Sequence, residues 1–131
     1  MEAVCGQGGA VKALIVVAHG SRRESSNNEV IALIEQLKTG MEDQYPIIMA
    51  SFLELAAPSI REAILQCVDQ GASHITLLPY FLSAGKHVHV DIPEQASKAI
   101  RDVRKVSINI LPHLGSSKKM LDIMRGMVTL S

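Results

Sequence analysis

The sequence lacks several features on which whole classes of proteins depend. Tryptophan is absent, and aromatic residues make up only 3% of the 131 residues, so the stacking platforms that bind single-stranded nucleic acids are missing. Thirteen basic and 13 acidic residues balance to a formal charge of zero, which leaves no overall field to recruit nucleic acid or an anionic membrane. No apolar run approaches the ~20 residues that a membrane-spanning helix needs. We therefore expect neither nucleic acid nor a membrane as a partner.

Cysteine is also scarce. The two cysteines, Cys5 and Cys67, are too few for a four-cysteine zinc site and do not form a CxxC motif. A disulfide between them is conceivable but is disfavoured in a reducing compartment. Residues 1–11 lack the basic and apolar regions of a signal peptide, and we expect them to form a flexible N-terminus. The chain is therefore predicted to be cytoplasmic.

What the sequence has is the size and composition of a folded domain. A chain of 131 residues with 47% hydrophobic and 20% charged residues can bury a core without disulfides. Short apolar runs predict four strands, over residues 13–18, 46–51, 74–79 and 106–111. The first run is continuous, which is typical of a strand buried on both faces, whereas the last alternates and is expected at an edge. We predict a single domain spanning residues 1–131.

Four helical patterns alternate with these strands. Capping boxes predict helix starts at 26–29 and 59–62, Gly71 predicts the end of the second helix, and 91–94 opens the third. The fourth helix carries apolar residues from 120 to 128. This order predicts an α/β fold, an open, mainly parallel sheet of about four strands with helices on both faces. So small a sheet indicates half of something larger, or a subunit that dimerises.

The ligand site of such a sheet lies beyond the carboxyl ends of its strands. One histidine, His74, belongs to the opposite edge, and the other four fall at or after strand ends: His19, His87, His89 and His113. GxGxxG and P-loop patterns are absent there, so nucleotide binding is not supported. GxSxG is also absent, which leaves a serine hydrolase without a nucleophile elbow.

Imidazole and carboxylate groups remain at this edge. His19 follows the first predicted strand, Glu54 the second and His87 the third. Neutral imidazole binds first-row divalent metals and takes up protons near pH 7, and a glutamate can orient it or accept protons. By themselves these residues predict either an open metal site or an acid–base site.

Three segments, each following a predicted strand, carry a family resemblance. They read Ala18-His19-Gly20-Ser21-Arg22, then Phe52-Leu53-Glu54-Leu55 with Pro58-Ser59, then Leu82-x-x-Gly85-x-His87-x-x-x-Asp91-Ile92-Pro93. Together they resemble the small class II chelatases, the short, single-half sirohydrochlorin cobaltochelatases and ferrochelatases, over residues 12–126. The resemblance implies a chelatase-like fold, one flavodoxin-like half, working as a homodimer.

The resemblance also implies an activity. It is the ATP-independent insertion of Co²⁺ or Fe²⁺, with Ni²⁺ as a further candidate, into the tetrapyrrole sirohydrochlorin, for cobalamin or sirohaem biosynthesis. No cofactor beyond the metal substrate is expected, and which metal is physiological stays open. The alternative is a carrier of metal or tetrapyrrole that shares the fold without turnover. A phosphotransfer enzyme is disfavoured because Ala18 precedes His19, where histidine phosphatases have arginine.

Carried over residue by residue, the resemblance assigns the site. His19 and His87 are the metal-binding, proton-accepting histidines, and Glu54 is their acidic catalytic partner. The carboxylates of sirohydrochlorin would meet donors from four residues near the histidines: Ser21, Arg22, Arg23 and Lys86. His89 would share the side of His87 if this segment is extended, and would then be a ligand, a substrate contact or a bystander. His113 departs from the family pattern, and no role follows for it.

Overall fold

A computed structural model describes residues 10–103 and 105–130. Strands and helices alternate along it as the sequence predicts. The four strands are β1 (Lys12–Ala18), β2 (Ile47–Phe52), β3 (His74–Pro79) and β4 (Ser107–Ile110). The four α-helices are α1 (Glu24–Lys38), α2 (Ile60–Asp69), α3 (Ile92–Asp102) and α4 (Lys119–Leu130). A π-helical turn, His87–Asp91, runs directly into α3, and a 3₁₀ turn, Leu114–Ser116, precedes α4. The prediction of an α/β fold is confirmed.

The sheet is entirely parallel, in the order β2-β1-β3-β4. Strand β1 is central, and every residue after Lys12 in it is buried, which explains its continuous apolar run. Strand β4 lies at an edge, and its residues alternate between exposed and half-buried, as its alternating sequence predicts. Because β1 pairs with both β2 and β3, the loops that follow these three strands are neighbours.

Alternate residues of β1 build two separate cores. Ala13, Ile15 and Val17 pack in the cluster that contains the apolar residues of α2 and α3. Leu14, Val16 and Ala18 pack on the opposite face, in the cluster with Ile34 of α1. The prediction of helices on both faces is therefore confirmed for α1, α2 and α3.

Helix α2 begins and ends where the sequence predicts. The Ser59 Oγ accepts from the Glu62 N–H at 3.1 Å, and a Glu62 carboxylate oxygen accepts from the Ser59 N–H at 2.8 Å. This reciprocal pair is a capping box, worth about 1 kcal/mol for the cap residue. Gly71, with a φ of +97°, follows the end of the helix.

The predicted start of α1 is wrong, whereas α3 begins at Ile92, within the predicted opening segment 91–94. Helix α1 begins at Glu24, so the predicted cap Ser26 lies inside the helix, and the cap residue is Arg23. The cause is Ser21, whose Oγ accepts from the Arg23 N–H at 3.0 Å and turns the chain earlier. Helix α3 has no side-chain cap at Asp91, because Asp91 is already helical at the end of the π-helical turn.

Helix α4 forms where the sequence predicts it but has no buried residue. Met120 is half-buried, but six large apolar side chains of the helix are more than half exposed: Leu121, Ile123, Met124, Met127, Val128 and Leu130. An amphipathic helix ordinarily buries its apolar stripe. This helix leaves it uncovered in the single chain.

Cys67 is a free thiol, buried in α2 against Met49, whose sulfur is 3.7 Å away. Burial raises the pKa of this thiol to about 11, because desolvation disfavours the thiolate. Cys5, the partner of the conceivable disulfide, lies outside the described residues, as does most of the predicted flexible N-terminus. None of the helices within the described ranges is long and apolar enough to cross a membrane.

Candidate functional site

The carboxyl-terminal edge of the sheet gathers the residues that the sequence singled out. His19 follows β1 directly, Glu54 lies two residues beyond β2, and His87 lies in the π-helical turn after β3. The imidazole centroids of His19 and His87 are 4.8 Å apart, edge to face. The structure thus brings together the two imidazoles and the carboxylate, as expected for parallel strands that share one edge.

His19 is held between its own loop and the loop after β2. Its Nδ1 lies 2.9 Å from the Gly20 carbonyl oxygen, and because a carbonyl only accepts, Nδ1 carries the proton. Its Nε2 lies 3.2 Å from a carboxylate oxygen of Glu54. The side chains of His19 and Glu54 are 44% and 56% exposed. Nε2 therefore faces a solvent-accessible acid, and the two can hold one proton between them.

Gly20 allows these two loops to approach closely. The ladder between β1 and β2 continues past the strands, with the Leu53 N–H on the Ala18 carbonyl at 2.9 Å and the Glu54 N–H on the His19 carbonyl at 3.2 Å. Gly20 has a φ of +96°, and a Cβ there would overlap the Glu54 carbonyl. A side chain at this position would push Glu54 away from His19.

We expect Gly20→Ala to lower the free energy of unfolding by about 2–5 kcal/mol, from left-handed strain of about 1–2 kcal/mol plus overpacking of about 1–3 kcal/mol. Urea unfolding followed by circular dichroism measures this. The matched control is Gly40→Ala, with a φ of +90° but open space around its Cβ, so it isolates the strain. Equal losses in the two variants would show that the approach of the loops is not close.

Asn27 fastens the loop that carries His19, and sequence reasoning missed it. Its amide Nδ2 donates to the Ser21 carbonyl at 2.7 Å, and its Oδ1 accepts from the Ser21 N–H at 2.9 Å. Both backbone groups of Ser21 are thereby occupied, and Ser21 Oγ is used by Arg23. The available signal was an asparagine in the first turn of a helix, where its amide favours local backbone bonds.

His87 is held on its far side by Asp91. A carboxylate oxygen of Asp91 lies 2.7 Å from His87 Nδ1, and the ring of Phe81 stacks on the imidazole with centroids 6.3 Å apart. The second oxygen of Asp91 lies 3.9 Å from Lys86 Nζ. The His87 side chain is 45% exposed, so its Nε2 stays available for chemistry at the sheet edge.

The conditional prediction for His89 fails. It required an extended segment, but residues 87–91 form a π-helical turn, in which residues two apart project to nearly opposite sides. His89 is exposed and makes no side-chain hydrogen bond or ion pair within the described part of the chain. Its side chain therefore projects away from that of His87, and a contact between His89 and substrate stays a prediction.

The cationic side chains near the site differ in whether a neighbouring carboxylate already pairs with them. Arg22 and Arg23 are exposed, and neither guanidinium forms an ion pair within residues 10–103 and 105–130. Lys86 is 78% exposed but lies beside Asp91. The two arginines are thus free to bind an anion beside His19, whereas Lys86 is shared with a neighbouring carboxylate.

The last loop of this edge holds His113 and Gly115. The Gly115 N–H donates to the Phe81 carbonyl at 2.9 Å, and a Cβ on Gly115 would overlap the Leu82 carbonyl, so this loop packs tightly on the loop after β3. His113 is half-buried, without a side-chain hydrogen bond to any described residue. His74 lies at the opposite edge, as predicted, with Nδ1 3.0 Å from Ser73 Oγ.

The described chain provides a shallow pocket beside His19. The pocket beside His19 has a volume of about 220 Å³ and is lined by the loop after β1, the start of α1, and residues of β2 and the loop after β3. Small-molecule sites usually measure about 300–1,000 Å³. The pocket of the described chain therefore lies below this range.

The donor set is open. Among the described residues, no three histidine, cysteine, aspartate or glutamate side chains are arranged to hold a metal ion. The sheet edge therefore offers two imidazoles and a glutamate that contacts one of them. Resident structural metals, in contrast, take four protein ligands.

Comparison with known proteins decides the family. The CbiX family model matches residues 13–129, nearly the whole described chain. The chain belongs to the CbiX family. The sirohydrochlorin ferrochelatase of Arabidopsis thaliana, named as chloroplastic, is 38% identical over 118 residues, which cover 88% of this chain and 50% of the relative. The sirohydrochlorin cobaltochelatase of Sulfolobus acidocaldarius is 32% identical over 112 residues, covering 86% of this chain and 85% of the relative.

Solved structures agree with this assignment. SirB from Bacillus subtilis with Fe³⁺ superposes with a TM-score of 0.81 at 30% identity, covering 88% of this CbiX chain and 45% of SirB. The sirohydrochlorin chelatase SirB from B. subtilis subspecies spizizenii, in complex with cobalt, gives 0.82 at 29% identity, covering 91% and 50%. The chain therefore spans about half the length of both structures and of the Arabidopsis relative. The predicted resemblance to the sirohydrochlorin chelatases is confirmed.

Proposed function

We propose that this CbiX-family chain inserts a divalent metal ion, Co²⁺ or Fe²⁺, into sirohydrochlorin without ATP. The observation that carries the proposal is the pair of imidazoles, His19 and His87, 4.8 Å apart beside Glu54. Relatives named as sirohydrochlorin ferrochelatase and cobaltochelatase support the substrate and the metals.

The three residues suit the chemistry of insertion. The reaction must strip water from the metal and remove two protons from pyrrole nitrogens. Nε2 of His19 and of His87 would hold the metal and leave its other positions open to the ring. As the ring nitrogens take the metal, each freed imidazole regains a lone pair and can accept one pyrrole proton. Glu54 stabilises the positive charge that then develops on His19.

The weakness of this donor set favours a metal that is passed on. Two imidazoles hold a divalent ion less firmly than the four ligands of a structural site. A tetrapyrrole offers four nitrogens, so it can outcompete the protein for the metal. The metal is therefore a substrate in this proposal, and we propose no resident cofactor.

The substrate carboxylates find donors on the side of His19. Arg22 and Arg23 are exposed and unpaired with any described residue, so both can form charge-assisted hydrogen bonds with a polycarboxylate. Lys86 can do so only in competition with Asp91. Ser21 uses its hydroxyl to turn the chain into α1, so we propose that it shapes the loop as well as meeting substrate.

The decisive experiment measures turnover. Purified protein is mixed anaerobically with excess metal-free sirohydrochlorin and Co²⁺ or Fe²⁺, and the absorption spectrum is followed against a protein-free blank. We expect metallated product to exceed the protein concentration many times. Product that stops at one equivalent per site would instead identify the alternative, a non-catalytic carrier of metal or tetrapyrrole. Parallel rates with both ions, and with Ni²⁺, measure the metal preference, since all three suit imidazole.

We also propose that a second copy of this chain completes the site. One subunit leaves the macrocycle uncovered, and the chain spans half the length of SirB. Helix α4 presents an uncovered apolar face, and a large exposed apolar patch typically marks an interface. An apolar groove of about 400 Å³, lined by residues of α1, β1 and β3 together with Tyr80 and Leu114, is also open. We propose that α4 of one copy covers this groove of the other.

We expect Met124→Glu to convert the dimer to a monomer, because Met124 is central to the apolar face of α4 and 58% exposed in the single chain. A buried, unpaired charge costs several kcal/mol at an interface. Light scattering after size-exclusion chromatography measures the mass. Ser97→Glu, which adds the same charge to an exposed position of α3, should leave the dimer intact. A wild-type monomer, or a dimeric Met124→Glu variant, would refute this interface.

The predicted cytoplasmic location stays a prediction. The Arabidopsis relative is named as chloroplastic, so a plastid is the competing compartment. Microscopy of the tagged full-length protein in its own cells distinguishes the two.

A further inference from the structure

Asp91 contacts His87 directly and has no part in the metal or proton transfers proposed above. Its carboxylate oxygen Oδ2 lies 2.7 Å from Nδ1 of His87, one turn earlier in the chain. The Asp91 side chain is only 25% exposed, against 45% for His87. A short bond from a sheltered carboxylate to a ring nitrogen is charge-assisted and directional.

This bond selects one form of the imidazole. An ionised carboxylate has no proton to give, so His87 Nδ1 must carry the hydrogen. In the neutral ring, Nε2 then keeps its lone pair, and Nε2 is the nitrogen free of Asp91. The contact thereby determines which nitrogen can bind a metal.

The same contact fixes the orientation of the ring. Asp91 holds the Nδ1 corner, Phe81 stacks against one face, and the ring of His19 meets His87 edge to face. The second carboxylate oxygen of Asp91 faces Lys86 Nζ at 3.9 Å, so the carboxylate itself is held from two directions.

A purely structural role does not account for Asp91. The sequence suggests a helix cap, but Asp91 has helical dihedrals and its side chain caps no backbone N–H. Its described side-chain partners are His87 and Lys86 alone. The π-helical turn His87–Asp91 places the two residues where they meet, and π-helical turns occur frequently at functional sites.

We propose that Asp91 is a positioning residue that acts through His87. It holds the Nδ1–H tautomer, aims Nε2 at the incoming metal, and stabilises the positive charge that the imidazole gains on coordination. This inference rests on the proposed function, in which His87 holds the metal. Asp91 itself touches neither metal nor tetrapyrrole.

The first test uses Co²⁺ alone and needs no tetrapyrrole. Visible absorption titrations of Co²⁺ measure its affinity for wild-type protein, for Asp91→Asn and for the control Asp43→Asn, an exposed aspartate elsewhere. We expect Asp91→Asn to weaken Co²⁺ binding by roughly 10- to 100-fold, the usual effect of removing a partner of a metal-binding histidine. In turnover, KM for the metal should rise by a similar factor, more than KM for sirohydrochlorin. Equal Co²⁺ affinities in wild type and Asp91→Asn would overturn the proposal.

The second test observes the tautomer directly. Long-range ¹H–¹⁵N spectra of the histidine rings identify which nitrogen of His87 is protonated, with His87→Ala supplying the assignment. We expect the Nδ1–H form in the wild type and a mixture in Asp91→Asn. A wild-type ring protonated at Nε2 would refute the proposal even if Asp91→Asn does not fold. Wild-type protein that binds Co²⁺ without any turnover would refute the proposed function. The Co²⁺ affinities and the histidine ring spectra would then decide the role of Asp91.

Discussion

Replacing His19 with alanine is expected to reduce the rate of metal insertion by at least about 100-fold, the usual scale for losing a group that transfers protons. In the proposed mechanism His19 does two things, since its Nε2 both holds the metal and receives a pyrrole proton beside Glu54. The fold should survive, because the His19 side chain is 44% exposed and lies in a loop outside both cores. Loop residues of this kind carry function rather than packing.

The measurement compares turnover and thermal unfolding in the same preparations. His74→Ala is the matched control, since it removes an exposed imidazole from the opposite edge of the same sheet. We expect His74→Ala to turn over like the wild type and both variants to unfold within a few degrees of it. His19→Ala protein that inserts metal at the wild-type rate would exclude this residue from the reaction.

The sequence predicts the strands of this protein well because their environments differ so clearly. A short continuous apolar run is typical of a strand covered on both faces, and β1 is central. An alternating run at the end of the chain predicts an edge strand, and β4 is one. Once the order is parallel, the residue after each strand must lie at one edge. The meeting of His19, Glu54 and His87 follows from that rule, although they are distant in sequence.

The sequence does not predict contacts that depend on the local backbone conformation. His87-Val88-His89-Val90 alternates polar and apolar residues like a strand, yet it forms a helical turn. Periodicity cannot separate the two over so few residues. Because Asp91 has helical dihedrals in this turn, it does not cap α3 as predicted, and its carboxylate contacts His87 instead. Partners of this kind become visible only when the backbone is known.

Nor does periodicity show what a helix packs against. The apolar stripe of α4 predicts a helix, and the helix forms, but its stripe faces outward in the single chain. In contrast, the stripe of α2 is buried on the sheet. The two patterns look alike in the sequence. Each predicts that an apolar helix face will be buried, but not whether the surface that buries it belongs to the same chain.

The two histidines of the π-helical turn provide the sharpest comparison that this chain offers. His87→Ala should reduce insertion by at least about 100-fold, because it removes one of two imidazole ligands and leaves Asp91 without its main partner. His89→Ala should stay within about twofold of the wild type, the range of substitutions that touch no reacting group. Both changes delete the same ring, from the same five-residue turn, two positions apart.

Because the two substitutions are chemically identical, a difference between them depends on geometry alone. Any general loosening of the turn affects both variants, whereas only His87 faces His19 across 4.8 Å. We therefore expect both Co²⁺ affinity and turnover to be lost in His87→Ala and retained in His89→Ala. If His89→Ala is as inactive as His87→Ala, the helical turn does not persist during the proposed reaction, and an extended segment would place both rings on one side.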